Sequence, residues 1–501
     1  MYAFVVSVTL ACLAQVAIAN PDFGIQGTVP KVSLVKQKAV LAKEHFLRVD
    51  DYVMPSQKSD ITKLRESVTI LQAIGLRVNT LGPGLMDAIT TTSEDSGGNV
   101  ENTFTMVSIA RLQFEDYISV NLQEQIQNLE TLLGIYVRDQ LVDDFFHIQV
   151  RLTALSASLA TLQAAISQAY TAANGGPVSA ALIQQFVDEA LVTNLVQELT
   201  QIAYRIPVLT YTITSSLANI KQADDYYYGL KQDTDRILGE IATTGSDFYT
   251  NTIAYSSQVE QSMNAIIESF SAELTAATGT ATELNVAELT AAISGLNAVE
   301  NTKLAATLKA YKDLYDANVL ELSKLLPLDA NFAFLPNGNP AAVLVGVLIA
   351  NGPFSRYCFW KYSAVLHNML LVSNYASECY DREYARLQLI QQALLIEIEL
   401  ISYDLEVVNP YSQVCRFLPS SVSQRTAECA KEIAGYFSAM SGAFDKKLSD
   451  FVSLAETELK ASKQRLSVCW TTRVQQTLVK FQDVLKAIQA CAADGPKAAI
   501  D

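Results

Sequence analysis

Apolar residues recur along this chain at the three- and four-residue steps of a helix, not at the alternating positions of a strand. Between Asp60 and Asn79 the residues Ile61, Leu64, Val68, Leu71, Ile74 and Val78 share one helical face, and Leu81-Gly82-Pro83-Gly84 predicts a firm end to that helix. From about Thr103 to Ala173 there is no proline and one glycine, Gly134. The first seam in that region, Leu122, Ile126, Leu129, Leu133 and Tyr136, shifts by one residue into a second: Leu141, Phe145, Ile148, Leu152, Leu155, Leu159, Leu162, Ile166 and Ala169. The second seam alternates steps of four and three, which is coiled-coil periodicity. Unbroken, the helix would be on the order of 100 Å long. So long an apolar stripe aggregates unless covered, either by a second copy in a homodimer or by the same chain folding back after Asn174-Gly175-Gly176-Pro177.

A returning helix is expected from about Ser179, carrying Val192, Leu195, Leu199, Ile202 and Ile206, with a kink or break at Pro207. Helical spacing resumes from Ile213 to Ile241, and Thr243-Thr244-Gly245-Ser246 reads as its close. Shorter helices follow over Asp247 to Thr278, Leu284 to Ala298 and Thr302 to Leu326. The segment 327–354, with Phe332, Phe334, Pro336 and the apolar run Ala341 to Ala350, reads as a linker. Its apolar run is too short to cross a bilayer as a helix. One further arm is expected from Ser355 to Val408, interrupted at Asn409-Pro410. Another begins behind the capping box Ser421-x-x-Gln424 and carries Phe437, Met440, Phe444, Leu448, Phe451, Ala455, Leu459, Leu466, Cys469 and Ile488 on one stripe.

Six cysteines fall in these two arms, Cys358, Cys379, Cys415, Cys429, Cys469 and Cys491, at intervals of 21, 36, 14, 40 and 22 residues. The series is nearly a palindrome, and equal residue counts climb equal heights along two antiparallel helices. The implied rungs are Cys358 with Cys491, Cys379 with Cys469, and Cys415 with Cys429. Six cysteines permit fifteen connectivities, so this ladder is one hypothesis among them. The expected fold is all-α: an elongated long-helix coiled-coil bundle over 20–326, the 327–354 linker, a disulfide-laddered antiparallel hairpin over 355–493, and a tail over 494–501.

Residues 1–19 are apolar and uncharged and end in Ala17-Ile18-Ala19, which reads as a secretory signal cleaved before Asn20. Cleavage removes Cys12 and leaves an even cysteine count, as an extracellular disulfide framework requires. A net charge of −16 argues against nucleic acid and against anionic membranes. No N-x-S/T sequon occurs, so N-glycosylation is not expected.

The cysteine segment resembles the secreted dipteran domain of the tsetse EP protein family. The resemblance rests on Cys358-Phe-Trp-Lys-Tyr362, Asn374-Tyr-Ala-Ser-Glu-Cys379, the close pair Cys415 and Cys429, and the late Cys469 and Cys491. It covers about 135 residues, and the family's Glu-Pro repeats are absent. What it implies is an insect extracellular protein of gut lumen or gland secretion, with no assigned activity.

Chemistry-bearing patterns are sparse. His45, His147 and His367 stand far apart with no second ligand at metal spacing, and no nucleophile elbow, metalloprotease motif or phosphate loop occurs. Asp143-Asp144-Phe145-Phe146 and Asp224-Asp225-Tyr226-Tyr227-Tyr228 set carboxylates beside aromatics, an arrangement that suits either a cationic ligand or a helix with one acidic and one buried face. The expectation is a non-catalytic structural or binding protein without cofactor or metal, whose partner is a protein, glycan or small molecule. The alternative is a membrane-active helical protein that releases 341–350 at a bilayer, with an enzyme of unrecognised type the remaining reading.

Overall fold

A computed structural model describes residues 22–174, 176–326, 339–372, 376–417 and 423–496, excluding the side chains of 370–372, 417 and 423. The signal segment 1–19, residues 327–338 of the linker, Asn374 and the capping Ser421 lie outside the described residues. Among those described there is no strand, only an isolated bridge between Asp22 and Ile25. The helices are α1 (Val32–Leu47), α2 (Thr62–Ser93), α3 (Val100–Asp116), α4 (Leu122–Leu133), α5 (Ile135–Ala172), α6 (Ala180–Phe186) and α7 (Glu189–Leu284). They continue as α8 (Ala287–Ala298), α9 (Ala305–Ser323), α10 (Pro340–Ile349), α11 (Ser355–Val372), α12 (Ala376–Leu405), α13 (Val408–Val414) and α14 (Ser423–Asp494). Two π turns, Tyr117–Asn121 and Val299–Leu304, join α3 to α4 and α8 to α9.

The compact units do not follow the expected boundaries at 326 and 355. The first draws on 22–230, 339–364 and 484–496, the second on 231–326 and 365–483. Helix α12 hides Leu387, Gln391, Leu394, Ile398 and Ile401, and the late half of α7 hides Phe248, Met263, Phe270 and Leu274. Each of these faces needs a further helix.

In the first unit, α2 packs against α1, α3 and α4. The long helix expected from Thr103 to Ala173 is broken at Gly134, whose φ of 98° belongs to the left-handed region. The chain folds back there: α3 packs on α5, and the backbone at Gly98 comes beside the Tyr170 hydroxyl. All nine residues of the Leu141 to Ala169 seam are buried. The helix returning after α6 supplies part of that cover, with Thr212 of α7 donating to Asp144 at 2.8 Å and Arg151 meeting Glu198 at 3.4 Å. The stripe offered to a second copy is thus filled by the chain itself.

Two expected helix ends are not ends, and Pro207, expected to kink or break its helix, does not break it. Helix α2 runs through Pro83, and at Gly82 the Phe46 ring packs onto the backbone, 2.2 Å from where a Cβ would stand. Helix α7 runs through Pro207, with Ala203, Ile206 and Leu209 fully buried on its inner face. It also runs through Thr243-Thr244-Gly245-Ser246, whose threonine hydroxyls donate to the Gly239 and Glu240 carbonyls at 3.0 and 2.8 Å. Gly245 is a contact glycine: a Cβ there would lie 2.4 Å from the Ser323 carbonyl oxygen at the end of α9.

The second unit is an up-down-up-down four-helix bundle. Residues 231–284 of α7 rise, and α8 and α9 descend beside them, with Asn297 meeting Thr278 at 3.0 Å and Lys312 meeting Glu260 at 3.1 Å. The arm α11 to α13 rises parallel to α7, through His367 to Asp233 at 3.3 Å, Gln391 to Ser256 at 3.1 Å and Asn409 to Glu273 at 3.4 Å. Helix α14 descends against that arm and beside α8 and α9, where the Tyr311 and Phe451 rings pack at a tilt, 5.4 Å apart.

The disulfides are Cys358–Cys491 in the first unit and Cys379–Cys469 and Cys415–Cys429 in the second. Their nested order is that of two antiparallel helices climbing equal heights, and they require an oxidising compartment. In the apolar run, Leu344, Val345, Leu348 and Ile349 of α10 are buried, while Val343 and Val347 are half-exposed. Among the described residues no helix is long and apolar enough to cross a membrane.

Candidate functional site

The residues singled out for chemistry are occupied by the fold. The Asp224 carboxylate, 3 % exposed, accepts from the Lys58 and Ser59 amides at 2.8 and 3.0 Å and from the Ser59 hydroxyl at 2.5 Å, tying the 51–60 segment to α7. Asp225 pairs with Lys58 and Lys221, whose hydrogen bonds hold its carboxyl below the usual range. Tyr226 packs edge-on to Phe359 and donates to the Ser363 carbonyl. Asp144 is buried, and desolvation raises its pKa against the hydrogen bond from Thr212. His147 sits 3.5 Å from Asp143, and His367 joins α11 to α7. Among the described residues no group of His, Cys, Asp and Glu is placed to hold a metal ion.

A different constellation is assembled inside the second bundle. A cavity of about 290 Å³ lies among α7, the second π turn, α9 and α12. Helical spacing on α7 sends Ser256, Glu260, Met263 and Ile267 to it, at steps of four, three and four. The π turn brings in Glu300 and Leu304, α9 brings Leu308, Tyr311 and Lys312, and α12 brings Gln391. One wall is apolar, formed by Met263, Ile267, Leu304 and Leu308, and the mouth is flanked by the Glu260–Lys312 ion pair.

The floor is polar and buried. Gln391, 1 % exposed, donates its amide to the Ser256 hydroxyl at 3.1 Å. Tyr311 is 3 % exposed, and its hydroxyl has no hydrogen-bond partner among the described residues. Burial, with the neighbouring Tyr315 and Asp316, pushes its pKa up, so it stays a neutral donor at any physiological pH. Glu300 accepts from the Ser271 hydroxyl and the Asn301 amide, and burial raises its pKa. The described lining contains no histidine or cysteine. It offers one buried donor, a polar floor and an apolar wall, which is the chemistry of holding a small amphipathic molecule.

Sequence reasoning missed this site. Tyr311 and Gln391 stand at ordinary core positions of their helices, and nothing local marks a hydroxyl that tertiary packing leaves unpaired. The π turn, a frequent mark of functional sites, was the signal worth having, and it has no residue signature here. No family model, curated protein or solved structure matches this chain.

Proposed function

We propose that this is a secreted, non-catalytic binding protein of an insect extracellular fluid, which carries a small amphipathic ligand in the cavity of its second bundle. The observation that carries the reading is the buried Tyr311 hydroxyl, unpartnered on the lining of a 290 Å³ space with an apolar wall. A buried donor left unmade costs roughly 1 to 3 kcal/mol, and a ligand that accepts from it recovers that energy on binding. The three disulfides support the extracellular setting, where a crosslinked helical bundle resists local opening and proteolysis. The apolar ending of residues 1–19 and the likeness of the cysteine segment to the tsetse EP family point the same way.

Fluorescence titration with N-phenyl-1-naphthylamine, a neutral amphipathic probe, tests the reading. One saturable site per chain is expected, weakened at least tenfold by Leu308→Trp, which fills the cavity, and by a smaller factor in Tyr311→Phe. Absence of saturable binding, or binding indifferent to both substitutions, would sink the proposal. The membrane-active alternative relies on a segment whose Leu344, Val345, Leu348 and Ile349 are packed inside the first unit. Dye release from neutral or anionic vesicles is accordingly expected to be nil, and leakage abolished by Val345→Asp would revive that reading.

A further inference from the structure

The second disulfide lies in a depression where the charge of this acidic chain is locally reversed. Helix α12 places Arg382 and Arg386 one turn apart, and α14 places Arg465 and Arg473 eight residues apart, flanking Cys379–Cys469. The depression, about 580 Å³, is lined by these four guanidiniums and one carboxylate, Glu383. With 36 basic against 52 acidic residues in the whole chain, such a cluster is not what average composition supplies.

The carboxylates that hold the arginines are shared. Glu378 accepts from Arg382 at 2.5 Å and from Arg473 at 2.8 and 3.0 Å. Glu383, 2 % exposed, accepts from the Ser462 hydroxyl at 2.6 Å, from Arg465 at 3.1 to 3.3 Å, and from Arg386. Arg465 also meets Glu458 at 3.3 Å. Among the described residues Glu378, Glu383 and Glu458 thus accept from these four guanidiniums, and Glu378 and Glu383 are each shared by two. Tying α12 to α14 needs only Arg465 and Arg473, whose side chains are 30 % and 31 % exposed. Arg382 and Arg386, 63 % and 48 % exposed, are second claimants on carboxylates already paired across the helices. They can turn outward without leaving a buried charge unpaired.

We propose that this depression binds a tetrahedral oxyanion, sulfate or phosphate, free or as an ester on a larger ligand. Arg382 and Arg386 leave Glu378 and Glu383 and clamp the anion through paired N–H donors, while Arg465 and Arg473 stay in place and supply the positive field. The depression and the Tyr311 cavity share no lining residue.

Isothermal titration of the full disulfide-bonded chain at low salt, with inorganic sulfate, inorganic phosphate and a heparin-derived hexasaccharide in separate arms, tests it. Saturable binding that weakens as sodium chloride rises is expected. Arg382→Gln with Arg386→Gln should weaken it at least tenfold, with an unchanged circular-dichroism melt. Arg236→Gln, an exposed arginine of the same unit paired with Glu240 and Asp233, should leave it unchanged. Arg382→Lys with Arg386→Lys should fall between, because an ammonium keeps the charge and loses the fork. Binding in the hexasaccharide arm alone assigns the site to an ester, and binding of the inorganic ions assigns it to the free anion. No binding in any arm, or equal weakening by Arg236→Gln, overturns the proposal.

Discussion

Two glycines of one helix should respond to the same substitution with opposite signs. Gly239 and Gly245 both lie in α7 within the second bundle, and alanine at an exposed helical glycine ordinarily gains about 1 kcal/mol. At Gly239 nothing stands within 4 Å of a new Cβ, so Gly239→Ala should stabilise by about that amount. At Gly245 the new Cβ would stand 2.4 Å from the Ser323 carbonyl oxygen, about 1 Å inside an ordinary contact of 3.4 Å. That oxygen cannot rotate away, because it belongs to the backbone at the end of α9. It and the Leu322 carbonyl both accept from the Tyr380 hydroxyl, at 3.0 and 3.2 Å. Relief requires α9 and α7 to part, which weakens those hydrogen bonds and the Phe248–Tyr380 ring contact at 4.8 Å. Overpacking costs about 1 to 3 kcal/mol and a loosened hydrogen bond about 1 more, so Gly245→Ala should destabilise by a net 1 to 3 kcal/mol. Urea unfolding of the two variants beside the parent, followed by circular dichroism, reads the difference. Equal stabilisation by both alanines would refute the claim that Gly245 exists for close approach.

Three further outcomes are expected. Burial raises the Asp22 pKa to about 6 against the hydrogen bond from the Val29 amide, so its folded form favours the proton. Its contribution is fully present below the ordinary value of 3.8 and is lost as pH rises through about 6; Asp22→Asn should raise Tm at pH 7.5, leave it unchanged below pH 4 and flatten the profile between. Between Cys358–Cys491 and the enclosed Cys379–Cys469 the chain closes a loop of about 43 residues, worth about 4 kcal/mol on the chain-entropy relation; replacing Cys358 and Cys491 by serine should speed hydrogen exchange in 484–494 by about a thousandfold and spare 423–483. Asp224→Ala orphans the Lys58 and Ser59 amides and should cost about 2 to 3 kcal/mol, seen as easier proteolysis within 51–60 during a timed trypsin digest.

What was legible followed from spacing. The steps of three and four between Leu141 and Ala169 gave a helix face, and all nine residues are buried. The near-palindromic cysteine intervals gave two antiparallel arms, since residue count converts directly into height along a helix. Misreadings gathered at glycine and proline. Gly82 and Gly245 read locally as stops, yet in both places a missing Cβ admits a neighbour, the Phe46 ring or the Ser323 carbonyl. Local sequence is the same for a glycine that ends a helix and one that lets another helix approach. The partners of the hairpin were illegible for a related reason: a stripe shows that a face is covered, and not by which helix. The unpaired Tyr311 hydroxyl is a property of four helices at once, so no single segment carries it.

The π turn at Val299–Leu304 makes the cavity a question of chain length. Such a turn holds one residue more than the α turns around it, and each residue advances a helix by about 100°. Ile293 and Leu296 before it and Tyr311 and Tyr315 after it all face the core, an alignment kept by that one surplus residue. Deleting any single codon between 299 and 304 would let the helix heal into regular α geometry and swing Tyr311 and Leu308 about 100° around the axis. The pocket would close with no change in the composition of its lining. A binding function of this kind is gained or lost in one in-frame event, and homologues that differ by a single-residue gap here should divide into carriers and non-carriers.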